Sequence, residues 1–233
     1  MGTIKTNIEK IKRRMEEITV GAGRERGEVL LVAVTKTRSA DEINEAVDAG
    51  ITDIGENKVQ EIMDKYDQVK PVRWHMIGHL QTNKVKYIID KVSLIHSVDS
   101  FKLAGEIDRR AAQIRTTMDI LIQVNAAEEE SKFGITAEET EKLIEDILEH
   151  CENIRIRGLM CIAPFADDPE DVRVYFKEVK GLYERYAAME RPGLDFRYLS
   201  MGMSHDYEAA IMEGSNLIRI GTAIFGERNY TKQ

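Results

Sequence analysis

Lys36 is the residue best placed for covalent chemistry. It ends the run Leu30-Leu31-Val32-Ala33-Val34-Thr35-Lys36, in which six apolar or β-branched residues lead straight to one amine. A continuous apolar run of this length reads as a strand buried on both faces, as in parallel sheets. Ser39-Ala40-Asp41-Glu42 follows with the spacing of a capping box that opens a helix. The amine therefore falls at the carboxyl end of a buried parallel strand, where α/β folds place their ligands. A partly desolvated lysine there has a lowered pKa and can be a Schiff-base nucleophile toward a carbonyl compound. The structural alternative is a lysine with a packed stem and a solvated head.

Near the other end of the chain, two glycine-bearing turns suit an anion. One is Ser200-Met201-Gly202-Met203-Ser204 and the other Gly221-Thr222. Many barrels bind phosphate with the loops after strands seven and eight, through backbone N–H groups. Glycine lets the backbone approach the anion, and Ser204 and Thr222 add hydroxyl donors. Either turn alone is as well explained by Ser204 as a helix cap and glycine as a turn residue. Two in consecutive positions favour the anion. Arg219 lies between apolar neighbours, so it needs a partner, either a structural acceptor or a ligand.

These residues need a frame that brings the two chain ends together. Ile4, Ile8, Ile11, Met15 and Ile18 form one stripe on an N-terminal helix. Eight strand-like segments follow, near 29–35, 51–55, 72–77, 92–97, 118–124, 154–160, 196–199 and 216–220. Each is followed by a helix or a helical start. Helices are expected from Ala40, over Val59–Tyr66, around Val85–Ile89, after Asp99 or Ser100, from Thr136 with Glu139 as a capping box, and from Asp168-Pro169. Ser204 is expected to cap a helix through Met212. Regular alternation argues a parallel sheet, and eight units argue a closed (β/α)8 TIM barrel with an extra N-terminal helix. An open doubly wound sheet is the alternative, weakened by the lack of a Gly-rich dinucleotide fingerprint. Residues 1–233 read as one cofactor-binding domain. In a barrel, Lys36, Asn57, His79, Asn125, Ser200 and Arg219 all fall at or just past a carboxyl end. His75 and His96 read as barrel-lining or core groups and His79 as part of a site mouth. Cys161 reads as a small core residue. The acidic segment from Glu128 to Glu130 reads as a solvated loop.

Composition narrows the partners. With Lys+Arg 33 and Asp+Glu 41, the net charge of −8 argues against a nucleic-acid or anionic-membrane surface. No stretch reaches the roughly 18 apolar residues of a membrane span. There is no signal-peptide core, and two cysteines without metal spacing suit a reduced, cytoplasmic setting. No metal site is expected. A Schiff-base lysine, a phosphate cradle and an arginine on one barrel face point to pyridoxal 5′-phosphate.

Ala33-Val34-Thr35-Lys36-Thr37, Gly55-Glu56-Asn57-Lys58-Val59-Gln60-Glu61, Trp74-His75-Met76-Ile77-Gly78-His79-Leu80-Gln81, Ser200-Met201-Gly202-Met203-Ser204 and Arg219-Ile220-Gly221-Thr222-Ala223-Ile224-Phe225-Gly226 closely resemble the pyridoxal-phosphate homeostasis proteins. The resemblance runs through nearly the whole chain in order. It implies a barrel like the N-terminal domain of alanine racemase and an internal aldimine on Lys36. It implies that Ser200, Met203, Ser204, Gly221 and Thr222 hold the phosphate, that Arg219 faces the pyridine nitrogen, and that Asn57 is a pocket residue. The function it implies is a non-enzymatic binding protein that limits the free aldehyde and influences vitamin B6 and amino-acid pools. Its partners would be the small-molecule cofactor and pyridoxal-phosphate-dependent apoenzymes, and its state a monomer or weak dimer. The alternative is an amino-acid racemase, which needs acid–base groups on both faces of the substrate Cα. In the resembling racemases the second group is a tyrosine from a domain after the barrel. Tyr230 has no support for that role, so no substantial racemase activity is expected. A lysine-dependent aldolase without bound cofactor is a third possibility.

Overall fold

The computed structural model describes residues 3–129 and 132–227. Glu130 and Ser131 of the acidic loop, and Tyr230, lie outside the described residues. Helix α1 (Ile4–Gly21) starts at Thr3, whose hydroxyl accepts the Thr6 N–H at 3.2 Å. Its stripe buries Ile8, Ile11, Met15 and Ile18, as the spacing requires. Then strands and helices alternate. β1 (Leu30–Val34) precedes α2 (Ala40–Asp48), and β2 (Asp53–Glu56) precedes α3 (Val59–Lys65). β3 (Arg73–Met76) and β4 (Leu94–Val98) lead to α4 (Phe101–Gln113). β5 (Met118–Val124), α5 (Ala137–His150), β6 (Ile154–Cys161) and α6 (Arg173–Ala187) follow. The last units are β7 (Leu194–Ser200), α7 (Tyr207–Met212), β8 (Leu217–Ile220) and α8 (Thr222–Phe225).

All eight strands pair in parallel in sequence order, and β1 pairs with β8 to close the barrel. Leu30 aligns with Leu217 and Val32 with Arg219 across that seam. An open sheet is thereby excluded. Val32, Leu94, Leu121, Met160 and Leu217 form a small cluster separate from the main core. They come from five different strands, so they meet inside the barrel. The larger cluster lies between the strands and the surrounding helices. The capping boxes at Ser39/Glu42 and Thr136/Glu139 both form. The register of β6 with β7 shifts between Ile156 and Gly158. Gly158 has φ 142°, and a Cβ there would run into the Tyr198 carbonyl, so only glycine fits.

Three local expectations change. The helix expected around Val85–Ile89 is a 3-10 helix, Thr82–Tyr87. Val85, Ile88 and Ile89 are still buried. At Pro169 the chain first makes a 3-10 turn, with Asp168 Oδ1 accepting the Glu170 N–H at 2.9 Å, and α6 begins at Arg173. Ser204 does not cap α7: that helix starts at Tyr207 with Asp206 in the cap position, and the Ser204 hydroxyl accepts from the next crossover instead.

Candidate functional site

Lys36 lies two residues past the last residue of β1 and is half-buried. The backbone beside it is strained. Thr37 has φ 65°, an uncommon and costly conformation for a β-branched residue. Its N–H donates to Glu61 Oε2 at 2.6 Å. Glu61 in turn accepts from Lys65 Nζ at 2.7 Å, and the same ammonium donates to the Thr35 carbonyl at 3.1 Å and to Glu56 Oε1 at 2.8 Å. The backbone on both sides of Lys36 is thus clamped from α3. Burial pushes the Glu56 carboxyl up from its ordinary value against Lys65 and Thr35. Burial opposes ionisation of Glu61 as well, but Lys65 and the Thr37 amide hold it below the usual carboxylate range.

Asn57 follows β2 on the same rim. Among the described residues its buried Oδ1 has no hydrogen-bond partner, a carbonyl open to a donor. The backbone packs closely here: a Cβ on Gly78 would come within 2.5 Å of the Asn57 carbonyl oxygen. His79 stacks on Phe133 from the loop after β5, with ring centroids 3.9 Å apart. That loop folds back on the strand end, Gln123 Nε2 donating to the Phe133 carbonyl at 3.0 Å and Asn125 Nδ2 to the Glu129 carbonyl at 2.9 Å.

The last two crossovers meet. Ser204 Oγ accepts the Gly221 N–H at 3.3 Å and the Ala223 N–H at 3.4 Å. Both bonds are long, so these amides remain available to a stronger acceptor. Gly202 has φ 91°, and its carbonyl accepts the Arg219 N–H at 3.0 Å. The Met203 N–H donates to Asp206 Oδ1 at 2.6 Å, and Thr222 is exposed. Gly221 lies against Val34, where a Cβ would sit 3.4 Å from the Val34 Cβ and carbonyl oxygen. The glycine turn and the end of β1 are therefore adjacent.

Arg219 is 3% exposed. Its Nη1 donates to Ser200 Oγ, and its Nη2 donates to the Cys161 carbonyl at 2.8 Å. Among the described residues no carboxylate lies within salt-bridge distance of it. Burial draws the guanidinium below its ordinary value, with Cys161 and Asp206 opposing. Cys161 is buried, and burial pushes its thiol up to about 12, so it is no activated nucleophile. Among the described residues no group of three His, Cys, Asp or Glu side chains could hold a metal ion.

One rim thus carries a half-buried amine, an open carbonyl, hydroxyl and amide donors, and a buried cation. An anion with a carbonyl group fits that donor set. Sequence reasoning does not mark Asp53, His75 and His96 as site residues; inside the barrel they form a line in which His96 reaches Ser200. Alternation puts Asp53, Gly55 and Asn57 on the inner side of β2 with His75 inward on β3. That signal marks the direction but not the cross-barrel partner.

Residues 2–229 match the family described as alanine racemase, N-terminal domain. A pyridoxal phosphate homeostasis protein of Aquifex aeolicus (strain VF5) is 42% identical over 225 residues, 96% of this chain and 97% of that one. One of Escherichia coli (strain K12) is 38% identical over 244 residues, covering both chains fully (100%). The structure of PipY of Synechococcus elongatus PCC7942 with PLP bound superposes with a TM-score of 0.78 at 30% identity, over 91% of this chain and 100% of that one.

Proposed function

Because the chain belongs to the family of the pyridoxal phosphate homeostasis proteins, built on an alanine racemase N-terminal barrel, we propose that it binds pyridoxal 5′-phosphate and holds it on Lys36 as a Schiff base. On this reading it is a carrier and not an enzyme. It contributes to vitamin B6 and amino-acid homeostasis, acts as one domain over residues 1–233, and works in the cytoplasm as a monomer or weak dimer that serves pyridoxal-phosphate-dependent apoenzymes. The net charge of −8 and the absence, among the described residues, of any helix able to cross a membrane agree with partners that are neither nucleic acid nor lipid.

The observation that carries the reading is the junction of the last two crossovers beside the end of β1. Ser204 Oγ gathers the Gly221 and Ala223 amides, and Gly221 lies against Val34, two residues before Lys36. Met203, Ser204, Gly221 and Thr222 are the residues that would hold the phosphate, while the Ser200 hydroxyl is engaged inside the barrel by Arg219 and His96. Asn57 Oδ1 would accept from the bound molecule. Bound there, the cofactor supplies an electrophilic aldehyde and an electron-withdrawing ring. Arg219 has only donors, so it cannot take a proton from the ring nitrogen and disfavours a protonated ring. That weakens the electron sink, which suits storage better than carbanion chemistry. The clamp of Glu61 on Thr37 keeps the Lys36 backbone in place while the side chain reacts.

The test is a visible spectrum of the purified protein with pyridoxal 5′-phosphate, before and after borohydride, for wild type and Lys36→Ala. Yellow colour that is lost on reduction and missing in the variant is the expected result. A yellow Lys36→Ala protein, or a wild type that stays colourless, would overturn the assignment. Formation of D-alanine from L-alanine at enzyme-like turnover would overturn the carrier reading.

A further inference from the structure

Five buried side chains cross the barrel interior in an unbroken line: Asp53 on β2, His75 on β3, His96 on β4, Ser200 on β7 and Arg219 on β8. His75 Nε2 lies 3.0 Å from Asp53 Oδ1, and His75 Nδ1 lies 2.9 Å from His96 Nε2. His96 Nδ1 lies 3.1 Å from Ser200 Oγ, which accepts from Arg219 Nη1. We propose that Asp53, His75 and His96 are positioning residues for Arg219, linked through Ser200 in a chain of hydrogen bonds that all point one way and leave both imidazoles neutral. The purpose rests on the reading above that Arg219 faces the cofactor's ring nitrogen.

The two ends fix the direction. A guanidinium can only donate and an ionised carboxylate can only accept. Asp53 is ionised: it accepts from Arg73 Nε at 2.7 Å, Arg73 Nη2 at 2.6 Å and Thr52 Oγ1 at 2.6 Å. Burial works against that charge, but His75, Arg73 and Thr52 hold the carboxyl well below its usual range. His75 therefore donates from Nε2, and with a single proton on its ring it accepts at Nδ1. His96 then donates from Nε2 and accepts at Nδ1, and the Ser200 hydroxyl supplies that proton while its lone pair takes Arg219. Each ring carries one proton and every polar atom in the line is satisfied.

An extra proton on His96 would point a second donor at Ser200 and strand the serine's own proton. It would also place a new cation beside a buried guanidinium. Burial, then His75 and Arg219, hold His96 well below its ordinary value. The titratable or charged groups facing the pair are Asp53 from β2, Arg73 beyond it on β3, and Arg219 from β8. Cys161 and Asp206 bear on Arg219 itself. The line carries the influence of the Asp53 charge toward Arg219 by polarisation of successive hydrogen bonds.

The test reads imidazole ¹⁵N signals in the protein without added cofactor, and then pyridoxal 5′-phosphate retention and absorbance. Wild type should show His75 and His96 each protonated on Nε2 alone. Asp53→Asn should redistribute the protons on both rings and leave His79, His150 and His205 unchanged. It should also shift the cofactor absorbance and weaken retention about tenfold, the effect of losing one charge-assisted hydrogen bond. His75→Gln breaks the line one link closer to the site and gives the same readout if Asp53→Asn does not fold. A doubly protonated His96, or one protonated on Nδ1 alone, would overturn the direction. Altered imidazoles with unchanged absorbance and retention would overturn the positioning role. A wild type with the single-proton pattern that takes up no cofactor would uphold the line and overturn its purpose.

Discussion

Adding one methyl group to the chain should have opposite effects at two glycines. At Gly202 the backbone has φ 91°, and a Cβ would sit 2.7 Å from the Ala210 Cβ and 2.9 Å from the Tyr207 Cα. The left-handed conformation costs an L-residue about 1–2 kcal/mol, and forcing a methyl into close-packed surroundings costs about 1–3 kcal/mol. Gly202→Ala should therefore lose about 2–5 kcal/mol, a large share of the roughly 5–15 kcal/mol that stabilises a typical domain. At Gly105, inside α4, a built Cβ meets nothing within 4 Å. There alanine should gain about 0.5–1 kcal/mol through helix propensity and a less flexible unfolded chain. Urea unfolding followed by circular dichroism measures both. The Gly202 carbonyl accepts the Arg219 N–H at 3.0 Å, so the destabilised variant should also retain pyridoxal 5′-phosphate less well than Gly105→Ala does. If Gly202→Ala lost less than about 1 kcal/mol, the close approach of the Ser200–Ser204 turn to α7 would not be the constraint described.

Two further outcomes follow from buried titratable groups. The Asp53 carboxyl has a depressed folded-state pKa, so its contribution is complete above the unfolded value of about 3.9 and drains away as pH falls below it. Asp53→Asn should flatten the acid limb of stability against pH, measured by urea midpoints; an unchanged acid limb would contradict the pairing with Arg73 and His75. Burial raises the Cys161 thiol to about 12 and the Cys151 thiol to about 11. Both should react with a thiol reagent in the folded protein at least on the order of a hundredfold more slowly than a free cysteine, and normally once unfolded. A fast thiol in the native protein would refute their burial.

Local pattern made the frame legible. The run ending at Lys36, the capping boxes and the strand-by-strand alternation each encode one element, and eight of them leave few arrangements other than closure. The Ser204–Gly221 junction was legible too, because both turns carry their own chemistry. What stayed hidden is set by the barrel as a whole. His96 and Ser200 are 104 residues apart, and only the stagger of a closed barrel brings their side chains within 3.1 Å. Alternation could place His75 and His96 inside, but not their order in the line. The clamp under Lys36 was missed for a similar reason: Glu61 lies on a helix, and nothing local marks its carboxylate as the partner of a strained Thr37 amide. Ser204 fits a cap by type and position, but α7 starts only at Tyr207, and the hydroxyl accepts donors from the neighbouring turn.

Closure between β1 and β8 also sets the timing of assembly. The first strand leaves the ribosome long before its last neighbour is translated, a delay on the order of ten seconds or more at ordinary elongation rates. Until then the nascent sheet has two raw edges, each able to recruit a strand from another chain. A stalled or truncated translation product lacking β8 would keep both edges for its lifetime, so clearance of incomplete chains matters more for this architecture than for an open sheet with a guarded rim.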